Sequence, residues 1–134
     1  MIVDASAVIA IVGADPAAPG LMAHLDTAPA RAIGAPTATE TGIVLMARLG
    51  LVGISVLGRF LDEFDVDVVP FSDAHWQEGI RAFQRFGRGR HPASLNFGDC
   101  LTYAVAKLAG SPLLCTGQDF AQTDLAVVGN ADPA

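Results

Sequence analysis

The stretch Leu95-Asn96-Phe97-Gly98-Asp99-Cys100-Leu101-Thr102-Tyr103-Ala104 decides how the rest of this chain is interpreted. Asn96 is a favourable helix N-cap, and Asp99 stands at the third helical position after it. The apolar residues that follow at helical spacing predict a helix that continues to Ala109. An acid in a first helical turn is stabilised by the helix dipole. Capping alone would therefore explain Asp99 if it were considered by itself.

The composition predicts one folded domain over residues 1–134. Hydrophobic residues make up 51% of the sequence and charged residues 16%, which excludes general disorder. No apolar run reaches the roughly 18 residues of a membrane span, and the start, Met1 to Asp4, has no basic segment. We therefore expect a cytoplasmic protein without a membrane partner. The net charge of −6 disfavours broad coating of nucleic acid but allows a local basic path.

Short apolar strands alternate with helical patterns along the chain. Strands are predicted over residues 1–3, 32–35, 66–69, 112–115 and 125–128. Helices are predicted over residues 7–12, 17–26, 37–49, 51–64 and 74–86, and from Asn96 onwards. This alternation predicts an α/β fold of three layers, α/β/α, with a central parallel sheet of four or five short strands. The C-terminal ends of such strands share one edge, where ligands bind.

Several local expectations accompany these elements. The spacing of Thr37 and Glu40 predicts a capping box that opens the third helix. In the second helix, three apolar side chains are expected to point inward: Leu21, Met22 and Leu25. Without a CxxC motif, both cysteines, Cys100 and Cys115, are expected to be reduced core residues. The tail after Gly129 is expected to fray.

Acidic residues fall at the C-terminal edge of the predicted sheet. Asp4 ends the first strand, Glu40 lies in the first turn after the second, and Asp119 follows the strand 112–115. The helix start at Asp99 reaches the same edge if the preceding loop crosses it. Two carboxylates about 5 Å apart repel by roughly 3 kcal/mol at an effective dielectric of about 20. Such a cluster takes up a proton or a divalent ion, and oxygen ligands favour Mg²⁺ or Mn²⁺ over zinc.

Four parts of the sequence belong together as a pattern: Val3-Asp4-Ala5-Ser6-Ala7, the mid-chain Glu40, residues 95–100, and residues 116–125, which read Thr-Gly-Gln-Asp-Phe-Ala-Gln-Thr-Asp-Leu. Together they resemble the PIN-domain ribonucleases, in particular the VapC-type toxins of bacterial toxin–antitoxin pairs. The resemblance covers the whole chain. It implies a PIN-like fold and an endoribonuclease that depends on Mg²⁺, with Mn²⁺ as a plausible substitute.

The resemblance also implies roles for individual acids. The implied catalytic and metal-binding residues are Asp4, Glu40, Asp99 and Asp119. Glu40 would bind the ion directly or through water. Many relatives carry an acid two positions after the threonine of the last motif, and here that position is Gln118. Either Asp119 or Asp124 is therefore the fourth acid, and we prefer Asp119.

Further polar residues receive roles by the same resemblance. Ser6 and Thr116 would orient acids or water, with local capping as the alternative. The basic cluster just upstream of Asp99 is a candidate for gripping RNA phosphates, with a solvated surface as the alternative. It consists of Arg81, Arg85, Arg88 and Arg90. The same neighbourhood is a candidate surface for the antitoxin.

The partners expected from the family are an RNA substrate, a small VapB-type antitoxin with a basic tail, and a second copy of the chain. A guanidinium on the tail can bridge two carboxylates of an empty acid cluster. The helix at residues 51–64 looks too apolar for full exposure, which favours a homodimer. Its apolar residues include Leu51, Leu57, Phe60 and Leu61. Trp76, Ile80 and Phe83 are expected in the core or in the dimer surface.

Other functions of parallel sheets match the sequence less well. A phospho-receiver domain needs an Asp at the end of the third strand, where this chain has Val69-Pro70. A phosphatase of the Asp-x-Asp type needs an acid at position 6, which is Ser6. The G-x-G-x-x-G of dinucleotide binders is absent after the first strand. The strongest rival is a non-catalytic PIN scaffold that binds RNA or a protein.

Overall fold

The computed structural model describes residues 1–129 and contains a five-stranded sheet. Its strands are β1 (Ile2–Val3), β2 (Arg31–Gly34), β3 (Val66–Val69), β4 (Leu113–Leu114) and β5 (Val127–Val128). They are ordered β3-β2-β1-β4-β5, and every pair is parallel. The predicted α/β fold with a parallel sheet is confirmed. The predicted fraying beyond Gly129 lies outside the described residues.

Six α-helices connect the strands. They are α1 (Ala5–Val12), α2 (Ala18–Thr27), α3 (Ala35–Leu49), α4 (Val52–Glu63), α5 (Asp73–Phe86) and α6 (Phe97–Ala109), and a 3-10 turn covers Phe120–Gln122. The α6 start is the predicted one, because the Asn96 side chain accepts from the Asp99 backbone N–H at 2.9 Å. Within residues 1–129, none of the helices is long and apolar enough to cross a membrane.

The alternation of side chains along the strands places helices on both faces of the sheet. Ile2 and Leu113 belong to the core under α5 and α6. Their neighbours Val3 and Leu114 belong to the core under α1, α2 and α4. Successive strand residues point to opposite faces, so even a two-residue strand serves both cores. The result is the expected three-layer arrangement.

The predicted orientation of α2 is wrong at one residue. Leu21 and Leu25 are buried, but Met22 is 39% exposed. Residues four apart lie on one helical face, whereas position 22 is turned about 100° away from position 21. Met22 is therefore directed away from the core although it is adjacent to Leu21 in the sequence.

The predicted capping box at Thr37 is also wrong. The third helix begins two residues earlier, at Ala35, with Gly34 as its N-cap. The buried Thr37 hydroxyl instead shares a 2.9 Å hydrogen bond with the Thr102 hydroxyl of α6. A Cβ at Gly34 would lie 2.8 Å from Val105 Cγ2, so the close approach of β2 to α6 favours glycine.

Both cysteines are buried free thiols, as predicted. Burial, reinforced by the charge of Asp99, raises the pKa of Cys100 to about 11. Burial also raises the pKa of Cys115 to about 12, with the charges of Asp4 and Asp99 adding to the shift. Thiols with such pKa values are weak nucleophiles at neutral pH. We assign both to the core.

Candidate active site

Asp4 is fixed where β1 runs into α1. Its backbone N–H donates to the Leu114 carbonyl at 2.9 Å, which ties this residue to the end of β4. Its carboxylate Oδ2 accepts from the Ser6 backbone N–H at 3.1 Å and from Ser6 Oγ at 2.6 Å. Ser6 Oγ in turn accepts from the Thr116 N–H at 3.0 Å. One hydroxyl therefore joins the first acid to the chain that leaves β4.

Glu40 lies against the first turn of α6. A Cβ built at Gly98 would lie 2.7 Å from Glu40 Oε2, so glycine at this position leaves room for the carboxylate. The prediction that Glu40 lies in the first turn after the second strand is wrong. Because α3 starts at Ala35, Glu40 occupies the second turn of this helix. The helix nevertheless carries the carboxylate to the N-terminal end of α6.

The pKa of Glu40 is raised by its surroundings. Desolvation raises the pKa of its carboxyl, and the negative charges of Asp4 and Asp99 raise it further. The residue as a whole is exposed, and the desolvation is explained by the carboxylate end, which faces Gly98. Glu40 is thus held near two other acids that come from distant parts of the chain.

The pKa of Asp99 depends on the fourth acid, Asp119, as well as on its own burial. Burial raises the pKa of its carboxyl, and the hydrogen bond with the Asn96 backbone partly opposes that shift. The charges of Asp4 and Asp119 raise the pKa further, while Arg88 lowers it. The structure therefore brings the four predicted acids into one electrostatically coupled group, which we call the acid cluster: Asp4, Glu40, Asp99 and Asp119.

Asp124, the other candidate for the fourth acid, is engaged elsewhere. Its Oδ1 accepts from the Tyr103 hydroxyl at 2.6 Å. Its Oδ2 accepts from Lys107 Nζ at 2.8 Å and from Arg85 Nη1 at 3.4 Å. These three donors hold the carboxylate on α5 and α6. This placement favours Asp119 as the fourth acid.

The four arginines of the predicted RNA-binding cluster occupy different settings. Arg85 is bound in the network just described, and Arg81 pairs with Glu78 at 3.0 Å. The guanidinium of Arg90 lies 5.6 Å from the centre of an aromatic ring on α5. The charge of Arg88 lowers the pKa of Asp99. The four side chains are therefore engaged differently, and their role in RNA binding stays a prediction.

Two open clefts flank the start of α6. One, of about 790 Å³, lies between α5 and α6, and the other, of about 430 Å³, lies between α3 and α6 beside Glu40. Phe97 lines both and is 79% exposed. The sequence patterns predict no role for Phe97 beyond the helix start, although its position two residues before Asp99 places it beside a candidate site residue.

The donor set of the acid cluster fits a hard divalent cation. All four side chains offer oxygen, and their mutual repulsion is relieved by positive charge. Within the described residues 1–129, no three acidic, histidine or cysteine side chains are grouped closely enough to enclose one ion. The fit therefore rests on the chemistry of the donors and on their electrostatic coupling.

Comparison with known proteins identifies the family of this chain. The model of the PIN domain matches residues 1–125. The chain is 48% identical over 126 residues to Ribonuclease VapC36 of Mycobacterium tuberculosis, a match that covers 93% of this chain and 91% of that protein. This chain belongs to the VapC ribonucleases of the PIN-domain family. The resemblance inferred from the motifs is confirmed, and family membership supports RNA cleavage.

Solved structures show the same fold as this VapC-family chain. The crystal structure of VapC20 of Mycobacterium tuberculosis, described as a Sarcin-Ricin loop cleaving toxin, matches with a TM-score of 0.74 and 18% identity, over 93% of this chain and 95% of that chain. A toxin–antitoxin complex from Klebsiella pneumoniae matches with a TM-score of 0.68 and 17% identity, over 99% and 97%. At these identities the matches establish the architecture alone.

Proposed function

We propose that this chain is the toxin of a type II toxin–antitoxin pair and hydrolyses RNA phosphodiester bonds at the acid cluster with Mg²⁺, for which Mn²⁺ substitutes. The observation that carries the proposal is the geometry at the start of α6, where the Glu40 carboxylate lies against Gly98, the residue next to Asp99. The charges of Asp4 and Asp119 act on Asp99 at the same place. A cluster of acids is an unfavourable arrangement unless a cation occupies it. Membership of the VapC ribonucleases supports RNA as the substrate.

Some carboxylates of the acid cluster are fixed by hydrogen bonds and others are exposed to solvent, which suggests different roles in the reaction. When bound, a divalent ion supplies a polarised water and offsets phosphate charge. Asp4 and Asp99 each have one oxygen fixed by protein hydrogen bonds, so they are suited to hold a ligand in a set position. Glu40 and Asp119 are the exposed members, so their carboxylates are accessible to the attacking water and suited to orient it.

The direct test is RNA cleavage by the purified free protein with Mg²⁺ or with EDTA. The Asp99→Asn variant keeps the helix cap but removes the charge. We expect its activity to fall by more than the roughly 10- to 100-fold that is typical for loss of a partner outside the ligand sphere. The matched control is Asp73→Asn, which changes the first-turn acid of α5.

The outcome separates the proposal from its rival. Cleavage that needs Mg²⁺ and is lost in Asp99→Asn but kept in Asp73→Asn supports the nuclease. RNA binding without cleavage under any divalent ion would instead identify a non-catalytic PIN scaffold. Equal cleavage by the parent and by Asp99→Asn would remove Asp99 from the reaction.

We also propose that the free protein is a homodimer. Exposed apolar side chains concentrate on α3 and at the start of α4: Ile43, Met46, Leu49, Leu51, Val52 and Ile54. Phe60 is buried, and Leu57 and Leu61 pack against the core. The proposed dimer interface therefore uses the start of α4 and not, as predicted, the whole helix. Sedimentation should show that Ile54→Glu dissociates the dimer and that Glu63→Gln, on the same helix, does not.

For the antitoxin we propose an apolar segment in the α5–α6 cleft and a basic arm at the acid cluster. Trp76, Ile80 and Phe83 are exposed and line this cleft, rather than being buried in the core. A guanidinium at the acids would compete with the metal. Adding Mg²⁺ to the purified complex should restore nuclease activity and release the arm while the apolar segment stays bound. Inhibition indifferent to Mg²⁺ would exclude this competition.

A further inference from the structure

We propose that Arg48 and the cavity it lines form a binding site for a phosphate of the RNA strand next to the one that is cut. The cavity has a volume of about 420 Å³ and is lined by Arg48, Asp15, Ser6 and Thr116, among others. Ser6 is the residue that holds Asp4, so the cavity adjoins the acid cluster directly. This inference rests on the proposed ribonuclease function and names a substrate contact that the sequence did not reveal.

The other cations of the protein are mostly occupied. Of the eight Lys and Arg residues, four form ion pairs with acids: Arg59, Arg81, Arg85 and Lys107. Arg31 donates to carbonyls at the end of α2, and Arg90 lies over an aromatic ring. Within residues 1–129, Arg48 and Arg88 make no ion pair and have neither of these engagements. They are the cations free to meet a phosphate.

These two arginines approach the acids from different layers of the fold. Arg88 follows α5, which packs over one face of the sheet, and its charge acts on Asp99. Arg48 shares its cavity with Ile9 and Ala10 of α1, which packs over the other face. A strand of RNA that crosses the sheet edge between Arg88 and Arg48 passes over the acid cluster. Its phosphates then meet a cation on each side of the reacting bond.

The chemistry of the cavity suits a phosphate held by one guanidinium. Arginine offers a planar set of donors that matches phosphate oxygens and stays charged at any working pH. Asp15 also lines the cavity, but its Oδ1 accepts from the Ala17 backbone N–H at 2.9 Å and it forms no ion pair with Arg48. Its negative charge opposes a phosphate. Removing the charge of Arg48 should therefore weaken RNA binding, and removing the charge of Asp15 should strengthen it.

The sequence offered only a weak signal for this site. Arg48 stands in the last turn of α3, where a basic residue is explained by the helix dipole. It is spaced eight residues from Glu40, so both lie on neighbouring rows of one helix, about 12 Å apart along its axis. The site becomes visible only in the fold, which places α1 and the chain after β4 beside Arg48.

The experiment measures binding of a labelled single-stranded RNA to the free protein in Mg²⁺ over about 50 to 200 mM salt, with cleavage followed in the same samples. Arg48→Ala should weaken binding roughly five- to tenfold for every RNA sequence tested and reduce the salt slope by about 0.7, the value for one phosphate contact on a single strand. The loss should fall on KM more than on kcat. Asp15→Asn should strengthen binding, and Arg48→Lys should keep most of the salt slope.

Arg59→Ala is the matched control, because Arg59 is an exposed arginine already paired with Glu63 on α4. If Arg48→Ala is destabilised, Arg48→Met replaces it and keeps the aliphatic stem. A parent that cleaves RNA, combined with an Arg48 variant whose affinity and salt slope equal those of Arg59→Ala, overturns the phosphate site and leaves the nuclease intact. A parent that neither binds nor cleaves RNA overturns both.

Discussion

At the scale of single residues, Asp99 combines a stabilising and a destabilising role. Its Oδ2 accepts from the Asn96 backbone N–H at 3.1 Å, which completes the cap of α6. Burial and the charges of Asp4 and Asp119 raise the pKa of the same carboxyl, so ionisation is less favourable in the folded state. Asparagine retains an acceptor for the cap and carries no charge. The two roles can therefore be separated by one substitution.

We predict that Asp99→Asn does not destabilise the free protein in EDTA at pH 7.5. An acid with a raised folded-state pKa lowers stability above that pKa, so removing its charge should leave the melting temperature unchanged or raise it by a few degrees. Thermal unfolding of the parent, Asp99→Asn and Asp73→Asn would measure this. A large decrease confined to Asp99→Asn would mean that its main role is structural.

Asp124 titrates in the opposite sense. Desolvation alone would raise the pKa of its carboxyl, but hydrogen bonds from Lys107 and Tyr103 and the charge of Arg85 outweigh it, and the net shift is downward. A lowered folded-state pKa contributes stability above the unfolded value, near 3.8, which is lost as the pH falls through the lower folded value.

We predict that Asp124→Asn lowers the free energy of unfolding at pH 7 by about 1 to 2 kcal/mol, because it removes the partly exposed ion pairs with Lys107 and Arg85 and leaves the Tyr103 hydroxyl with a neutral acceptor. The difference from the parent should shrink as the pH falls below about 3.8. Urea unfolding at a series of pH values measures it. A difference that stays constant down to pH 2 would contradict the ionic explanation.

At the scale of elements, the contact between α3 and α6 sets the position of Glu40. We predict that Gly98→Ala impairs metal binding and RNA cleavage without unfolding the protein, because the new Cβ would lie 2.7 Å from Glu40 Oε2 and displace the carboxylate. The end of a glutamate moves at little cost, so the fold is spared. In Gly79→Ala the new Cβ would lie 3.6 Å from the Cys100 carbonyl, an ordinary contact, and activity should be normal. Full activity in Gly98→Ala would contradict the placement of Glu40.

The hairpin of α3 and α4 depends on a second glycine. A Cβ at Gly53 would lie 2.5 Å from the Leu45 carbonyl carbon, whereas one at Gly58 meets nothing within 4 Å. We predict that Gly53→Ala destabilises the protein by about 1 to 3 kcal/mol through overpacking. Gly58→Ala should be neutral or slightly stabilising, since alanine favours a helix. Equal melting temperatures for the two variants would show that the helices separate freely.

At the scale of the whole molecule, the sequence predicted the alternating elements and hence the parallel sheet, because these depend on local periodicity. It failed where distant residues decide the outcome. The start of α3 was misplaced because Thr37 pairs with Thr102, 65 residues away, instead of capping its own helix. Likewise, no local pattern reveals that Asp124 is held by Lys107 and Tyr103, 17 and 21 residues away.

The fold also explains how an acidic chain can act on RNA. With a net charge of −6, the protein as a whole repels a polyanion. The parallel sheet gathers its acids at one edge, where a divalent ion would reverse the local charge. Arg88 and Arg48 then provide cations from the two helical layers. Affinity for RNA should accordingly depend on both the metal and these side chains, and not on a broad basic surface.

If the four acids form one site for a divalent cation, the free protein should bind such an ion there. The most direct measurement is the anomalous scattering of crystals of the free protein grown with Mn²⁺. We predict one strong peak between the carboxylates of Asp4 and Asp99, with Glu40 and Asp119 bound directly or through water, and no such peak in Asp99→Asn. A peak remote from these acids, or an equal peak in the variant, would show that the acids do not form this metal site.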